Sequence, residues 1–183
     1  MEIFINLLLG VGTSLLASFL FLYYILTRMR PKIKISPHIA HYKDLNNQNK
    51  KIYYFKIVNK SWHAAYDLRF RVCELSRIPA ENRKFHERRE DLKLRREYLT
   101  HIPKHKKIGE NDVAAPHALI ITCLDDLHPI LEDDNKCVEL QVIMRHGLTG
   151  LAKVFSYEYS SYTCVKNGIF DFGDKLTISS PPS

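Results

Sequence analysis

Two pairs of adjacent arginines are the residues best suited to bind a charged ligand, and both lie in a basic stretch of the chain. Residues 77–107 hold eleven Lys or Arg against five Asp or Glu, and the pairs are Arg88-Arg89 and Arg95-Arg96. A guanidinium donates paired hydrogen bonds to phosphate oxygens. These arginines are therefore candidates to bind a phosphate-bearing ligand, such as a nucleotide, a nucleic acid or a lipid headgroup.

Three interpretations of the basic stretch remain open. Only Phe85 and Tyr98 interrupt the charges as aromatic residues, so stacking on bases is poorly supported and a nucleic acid is not expected as partner. Charge runs are commonly solvated and then have no ligand. Residues 109–139 hold eight acids against one lysine, so basic and acidic surfaces of neighbouring subunits could also meet head to tail in a ring.

The nine histidines do not form a recognisable metal-binding pattern. His38 and His41 are three apart and would point to opposite faces of a strand. His101 and His105 flank Pro103 in the basic stretch, which would repel a cation. The sequence also lacks the nucleophile elbow, the phosphate loop, the dinucleotide fingerprint and the His-Glu-x-x-His motif. We therefore expect no metal, no cofactor, no catalytic residue and no enzyme activity.

The first 28 residues predict a helix that spans a membrane. No charged residue occurs from Ile3 to Thr27, and these 25 residues would form a helix of about 37 Å, longer than the hydrocarbon layer of about 30 Å. Glu2 precedes the apolar run, whereas a cleaved signal peptide would have positive charge there. We expect an uncleaved anchor.

Basic residues follow this helix and none precedes it. By the positive-inside rule, the protein is expected in the cell (inner) membrane as a single-pass protein, with its amino terminus outside and its larger domain in the cytoplasm. The same residues would contact anionic lipid headgroups. They are Arg28, Arg30, Lys32 and Lys34.

One face of the predicted helix carries small or polar residues at every fourth position: Asn6, Gly10, Ser14 and Ser18. Small residues let two membrane helices approach closely, and an asparagine can hydrogen-bond across the contact. The stripe predicts self-association. The alternative is that the helix only anchors the chain, because small residues are common in such helices.

The remainder of the chain shows the period-two alternation of strands. Residues 65–75 are the clearest example, and 138–145 and 151–159 should form a hairpin. Further strands are expected at 32–41, 51–59, 92–101, 117–123 and a last one ending near Ile178. The predicted fold is all-β, a sandwich over residues 29–178 followed by a frayed tail, 179–183. Four cysteines without paired spacing predict free thiols.

The order of several short motifs resembles the cytoplasmic carboxyl-terminal domain of inward-rectifier potassium channels. The motifs are Arg30-Pro31-Lys32 after the helix, Ile57-Val58-Asn59-Lys60 before an alternating strand, Ser160-Ser161-Tyr162, and Phe172-Gly173-Asp174-Lys175. The resemblance implies an immunoglobulin-like sandwich, a fourfold ring of subunits, and lipid binding by Arg30 and Lys32. The chain has no pore helix and no Thr-x-Gly-Tyr-Gly-like filter, so it cannot be a potassium-selective channel by itself.

These features favour a sensor or effector whose cytoplasmic domain oligomerises and passes ligand or partner binding to its membrane helix. One version is an effector that makes the membrane leak, for example in bacterial defence. The alternative is a passive anchored interaction module or accessory subunit without gating.

Overall fold

An apolar helix precedes a series of short strands in the computed structural model of this protein, which describes residues 1–28, 32–43, 51–79, 85–109, 112–146 and 150–180. The elements in these ranges, in chain order, are α1 (Glu2–Arg28), β1 (Ile33–Ile35), β2 (Ile39–Lys43), β3 (Lys51–Asn59), β4 (Ala65–Pro79), β5 (Phe85–Leu92), β6 (Tyr98–Ile102), β7 (Ala118–Cys123), α2 (His128–Leu131), β8 (Lys136–His146), β9 (Ala152–Tyr159), β10 (Val165–Asn167), β11 (Ile169–Phe170) and β12 (Ile178–Ser179).

Helix α1 confirms the predicted amino-terminal helix. Its segment Glu2–Ile25 has a mean hydropathy of 2.0, and none of it is buried against the described chain. The segment is long enough and apolar enough to span a membrane. Leaving so much apolar surface in water would be unfavourable, at about 25 cal/mol for each Å².

The first sheet is built around β3. Strand β7 pairs along one edge of β3, and β1 and β2 share the other edge. The chain between β1 and β2 bends at Ser36-Pro37, because proline has no N–H to donate to a continuous ladder. Strand β10 extends the sheet by pairing in parallel with β2.

The second sheet is built around β4. Strand β8 pairs along one edge of β4, and β5 and β6 share the other. Strand β9 pairs with β8 in antiparallel register from Val138↔Tyr159 to Arg145↔Ala152. The predicted hairpin of these two strands is therefore confirmed.

Apolar side chains of both five-stranded sheets share one core. Phe55 of β3, Phe70 of β4 and Leu140 of β8 are all buried in it. Tyr159 of β9 packs its ring 5.5 Å from that of Phe55 and donates a 2.7 Å hydrogen bond to the Ser36 carbonyl. Cys73, Cys123, Cys137 and Cys164 are free thiols, as predicted.

The strand predicted at 92–101 is wrong in its position. Strand β5 ends at Leu92 and β6 begins at Tyr98, so the intervening residues 93–97 form a connection. The prediction failed because β5 is highly charged and almost wholly exposed, so no apolar alternation marks it. Its pairing with β4, rather than burial, keeps it extended.

Ser179, assigned by sequence to the frayed tail, lies in β12.

Candidate functional site

Both arginines of the pair on β5 lie close to carboxylates. A terminal guanidinium nitrogen of Arg88 lies 2.5 Å from Glu90. Arg89 lies 3.6 Å from Glu87 and 3.7 Å from Glu139, whose side chain is buried. These arginines already have anionic partners within the chain, which reduces their capacity to bind a further anion.

The second pair, Arg95 and Arg96, lies in the connection between β5 and β6. The Arg95 backbone N–H donates a 2.9 Å hydrogen bond to the Thr122 carbonyl of β7, which fixes the connection against the first sheet. Both arginines line a cleft of about 300 Å³, together with Phe70 and residues 119–122. Neither has a carboxylate partner among the described residues. The two predicted pairs therefore differ in their surroundings: the pair on β5 lies close to carboxylates, and the pair in the connection does not, within the part of the chain that the structure describes.

The basic residues after α1 are described only in part. Arg30 and the side chain of Arg28 lie outside the described residues. The Lys32 N–H donates a 2.7 Å hydrogen bond to Oγ of Ser61, and its carbonyl accepts a 2.7 Å bond from the Lys60 N–H. Lys34 is exposed on β1. Four residues after the end of α1, the chain is therefore joined to the turn that follows β3.

The stripe of Asn6, Gly10, Ser14 and Ser18 lies on an exposed surface of α1. A Cβ placed on Gly10 would contact nothing within 4 Å in the part of the chain that the structure describes. No described part of the chain covers the stripe, so it is open to a second helix. Whether two copies meet there is a prediction that a single chain does not test.

A cluster that the sequence did not predict is centred on the carboxylate of Asp174. One of its oxygens, Oδ2, lies 2.6 Å from Nε2 of His105 and in contact with Nζ of Lys60, and the other, Oδ1, contacts Nε2 of His117. Nζ of Lys60 is also 3.2 Å from Nε2 of His105. We call these four residues the Asp174 cluster.

Four separate segments supply the Asp174 cluster. Lys60 directly follows β3, His105 lies after β6, His117 precedes β7, and Asp174 is in the loop between β11 and β12. Buried Asn59 holds three of these segments together. Its amide nitrogen donates to the carbonyls of His63 and Pro103, and its N–H donates a 2.8 Å bond to the His117 carbonyl.

The loop that carries Asp174 is held by the buried side chain of Lys56. Nζ of Lys56 donates hydrogen bonds of 2.5 and 2.8 Å to the carbonyls of Asp171 and Lys175. Gly173 has a positive φ of 73°, and a Cβ there would lie 2.7 Å from Cδ1 of Ile108. The close approach to Ile108 and the backbone angle both favour glycine next to Asp174.

The environment of Asp174 keeps its carboxyl group ionised. Burial raises the pKa of this group, but hydrogen bonds from Lys60, His105 and His117 outweigh burial and hold the pKa well below its usual value. His117 is fully buried, and its Nδ1 has no hydrogen-bond partner among the described residues. The polar contact of this ring within the described chain is therefore the one it makes to Asp174.

The Asp174 cluster contains a set of groups that could hold a metal ion. His105, His117 and Asp174 each offer one ligand atom, and these atoms lie within 4.8 Å of one another. His105 and Asp174 also line a cleft of about 680 Å³. Spacing between histidines close in sequence does not predict this set, because its members come from separate segments of the chain. The one signal in the sequence is the motif Phe172-Gly173-Asp174-Lys175, which contains Asp174.

Comparisons with known proteins do not assign the site. A scan against protein-family models and a search of curated proteins found no match to this chain.

Proposed function

We propose that this chain is a single-pass membrane sensor or effector, in which the β-domain binds a ligand or partner and acts on α1. The observation that carries the proposal is the attachment of Lys32 to the turn after β3. Both backbone polar groups of Lys32 are hydrogen-bonded to Lys60 and Ser61, and the Lys60 side chain belongs to the Asp174 cluster. A change in the domain near this turn would thus reach the chain close to the end of α1.

The architecture and orientation form part of the same proposal. The β-domain is immunoglobulin-like and related to inward-rectifier cytoplasmic domains, it assembles as a homo-oligomer with four subunits favoured, and it lies on the cytoplasmic side of the cell membrane. Two largely antiparallel sheets that share one core support the immunoglobulin-like architecture. The arginines and lysines at 28–34 then face anionic headgroups, where each gains about 1 kcal/mol.

The ligand is a phosphate-bearing anion held by Arg95 and Arg96. These two arginines line a cleft without a carboxylate partner, whereas Arg88 and Arg89 are ion-paired. A charge-assisted hydrogen bond contributes about 1.5 to 3 kcal/mol. Binding would shift the connection that is hydrogen-bonded to Thr122 of β7, and through β7 it would affect the neighbouring strand β3.

Self-association of α1 through its small-residue stripe is the first prediction of this proposal. In lipid nanodiscs, the full-length protein should have the mass of a closed oligomer, and Gly10→Leu should shift that mass toward the monomer. A leucine at position 10 would hold two helix backbones apart. Mass photometry of both proteins measures the change.

Gly12→Leu is the matched control, because positions 10 and 12 are 200° apart on a helix and the substitution is chemically identical. It should leave the mass unchanged. A monomeric wild-type protein would contradict the proposal and favour a passive anchored module. Equal disruption by both variants would show that the stripe is not the contact.

Loss of anion binding is the second prediction. Inorganic tripolyphosphate, titrated calorimetrically into the full-length protein in nanodiscs, should bind Arg95→Ala/Arg96→Ala at least about tenfold more weakly than wild type, because two charge-assisted contacts are lost. Arg88→Ala/Arg89→Ala removes the same charge and should weaken binding less than about threefold, because both arginines already have carboxylate partners.

The two double variants separate a specific site from general charge. If both weaken binding equally, the probe is attracted only by the positive charge of the domain. If the wild-type protein does not bind the probe, the phosphate-bearing ligand is wrong, although oligomerisation through α1 could still hold.

A further inference from the structure

We propose that His105, His117 and Asp174 form a zinc site, in which Zn²⁺ takes the place of the Lys60 ammonium group. This inference concerns the Asp174 cluster alone and does not depend on the proposed function. It rests on the three ligand atoms that lie within 4.8 Å of one another and on the ammonium cation that already contacts two of these residues, His105 and Asp174.

The Lys60 ammonium places a cation at this position, but its contact with His105 competes with the contact that His105 makes to Asp174. It contacts Oδ2 of Asp174 and lies 3.2 Å from Nε2 of His105, which itself lies 2.6 Å from the same carboxylate. One imidazole nitrogen cannot accept a hydrogen bond from Lys60 and donate one to Asp174 at the same time. A metal ion removes this conflict, because both imidazole nitrogens and the carboxylate would then act as electron-pair donors toward one centre.

The donor atoms indicate which metal would bind. Two imidazole nitrogens and one carboxylate oxygen suit Zn²⁺, whereas Mg²⁺ and Ca²⁺ prefer sites made only of oxygen. With metal–ligand distances of about 2.1 Å, ligands of a tetrahedral ion lie about 3.4 Å apart. The 2.6 Å separation of His105 and Asp174 would therefore lengthen by less than about 1 Å.

The surroundings leave a position for a fourth ligand. The side chains of His105 and Asp174 are 31% and 29% exposed and border the cleft of about 680 Å³, so water or a small ligand can reach them. Three protein ligands with an open position are typical of zinc centres that bind or activate a further group.

The affinity should be lower than that of a structural zinc site. Metal-binding histidines usually donate their second nitrogen to an acceptor, and loss of such a partner weakens binding about 10- to 100-fold. Nδ1 of His117 has no partner among the described residues. Competition from Lys60 weakens binding further, because the ammonium must leave before the metal can bind.

Calorimetric titration of Zn²⁺ into the full-length protein, in detergent and without a histidine tag, tests the site. We expect one Zn²⁺ per chain, with no competition from a large excess of Mg²⁺. His105→Ala should weaken binding at least about 30-fold. Lys60→Met keeps an unbranched side chain one atom shorter, removes the competing charge, and should tighten binding at least about tenfold.

His101→Ala is the matched control, because His101 is an exposed histidine four residues away and should not contribute. Binding to His105→Ala as tight as to wild type, or equal weakening by His101→Ala, would overturn the proposal. An unchanged affinity of Lys60→Met for Zn²⁺ would show that the metal does not displace the Lys60 ammonium. Thermal unfolding without metal shows whether each variant is folded. If His105→Ala is not folded, the zinc affinity of Lys60→Met is the test of the proposal instead.

Discussion

Arginine at two central positions of α1, in the variant Leu15→Arg/Leu16→Arg, is expected to remove the full-length protein from the membrane fraction. Near the centre of a spanning helix, arginine costs about 2.5 to 3.5 kcal/mol and leucine gains about 0.3 to 0.6 kcal/mol. The double variant therefore loses about 6 to 8 kcal/mol of insertion free energy. A loss of this size is comparable to the whole folding stability of a small domain, so the effect should be nearly complete.

Alkaline carbonate extraction of cell membranes measures the effect. The wild-type protein should stay in the pellet and Leu15→Arg/Leu16→Arg should appear in the supernatant. Leu15→Ile/Leu16→Ile alters the same positions without charge and should behave as wild type. Retention of the arginine variant in the pellet would mean that the protein is held to the membrane by something other than α1.

Gly168→Ala is expected to have the largest effect on the β-domain. Gly168 has a positive φ of 142°, and a Cβ there would lie 2.2 Å from the carbonyl oxygen of Ser179. Backbone strain costs about 1 to 3 kcal/mol, and a clash with backbone adds about 1 to 3 kcal/mol. The substitution would separate β12 from β11, whose connecting loop carries Asp174.

A fall in the melting temperature of at least about 4 °C should follow for Gly168→Ala, by differential scanning fluorimetry of the full-length protein. Hydrogen exchange should also rise in residues 169–179. Gly150→Ala is the matched control, because Gly150 has a φ of 67° but a Cβ there would contact nothing within 4 Å among the described residues. It should cost only strain, about 1 to 2 kcal/mol. Equal losses in the two variants would mean that the contact with Ser179 is unimportant.

Local sequence patterns were sufficient to predict those elements whose residue types are set by their immediate surroundings. The unbroken apolar run of residues 3–27 predicted α1, because a helix satisfies its own backbone hydrogen bonds in any surroundings. Alternation along residues 65–75 and 138–145 predicted β4 and β8, because one face of each strand packs in the core. Strand β5 has no buried face, so its sequence carried no such pattern.

The sequence by itself determined the apolar helix, most of the strands and the two arginine pairs. Only the tertiary structure decided which arginines are ion-paired and brought Lys60, His105, His117 and Asp174 together. His117 and Asp174 are 57 residues apart, and no periodicity links them. Their contact depends on the pairing of β7 with β3 and on the loop between β11 and β12, which Lys56 holds. Such contacts follow from the packing of the whole chain, because local backbone preferences extend over only a few residues.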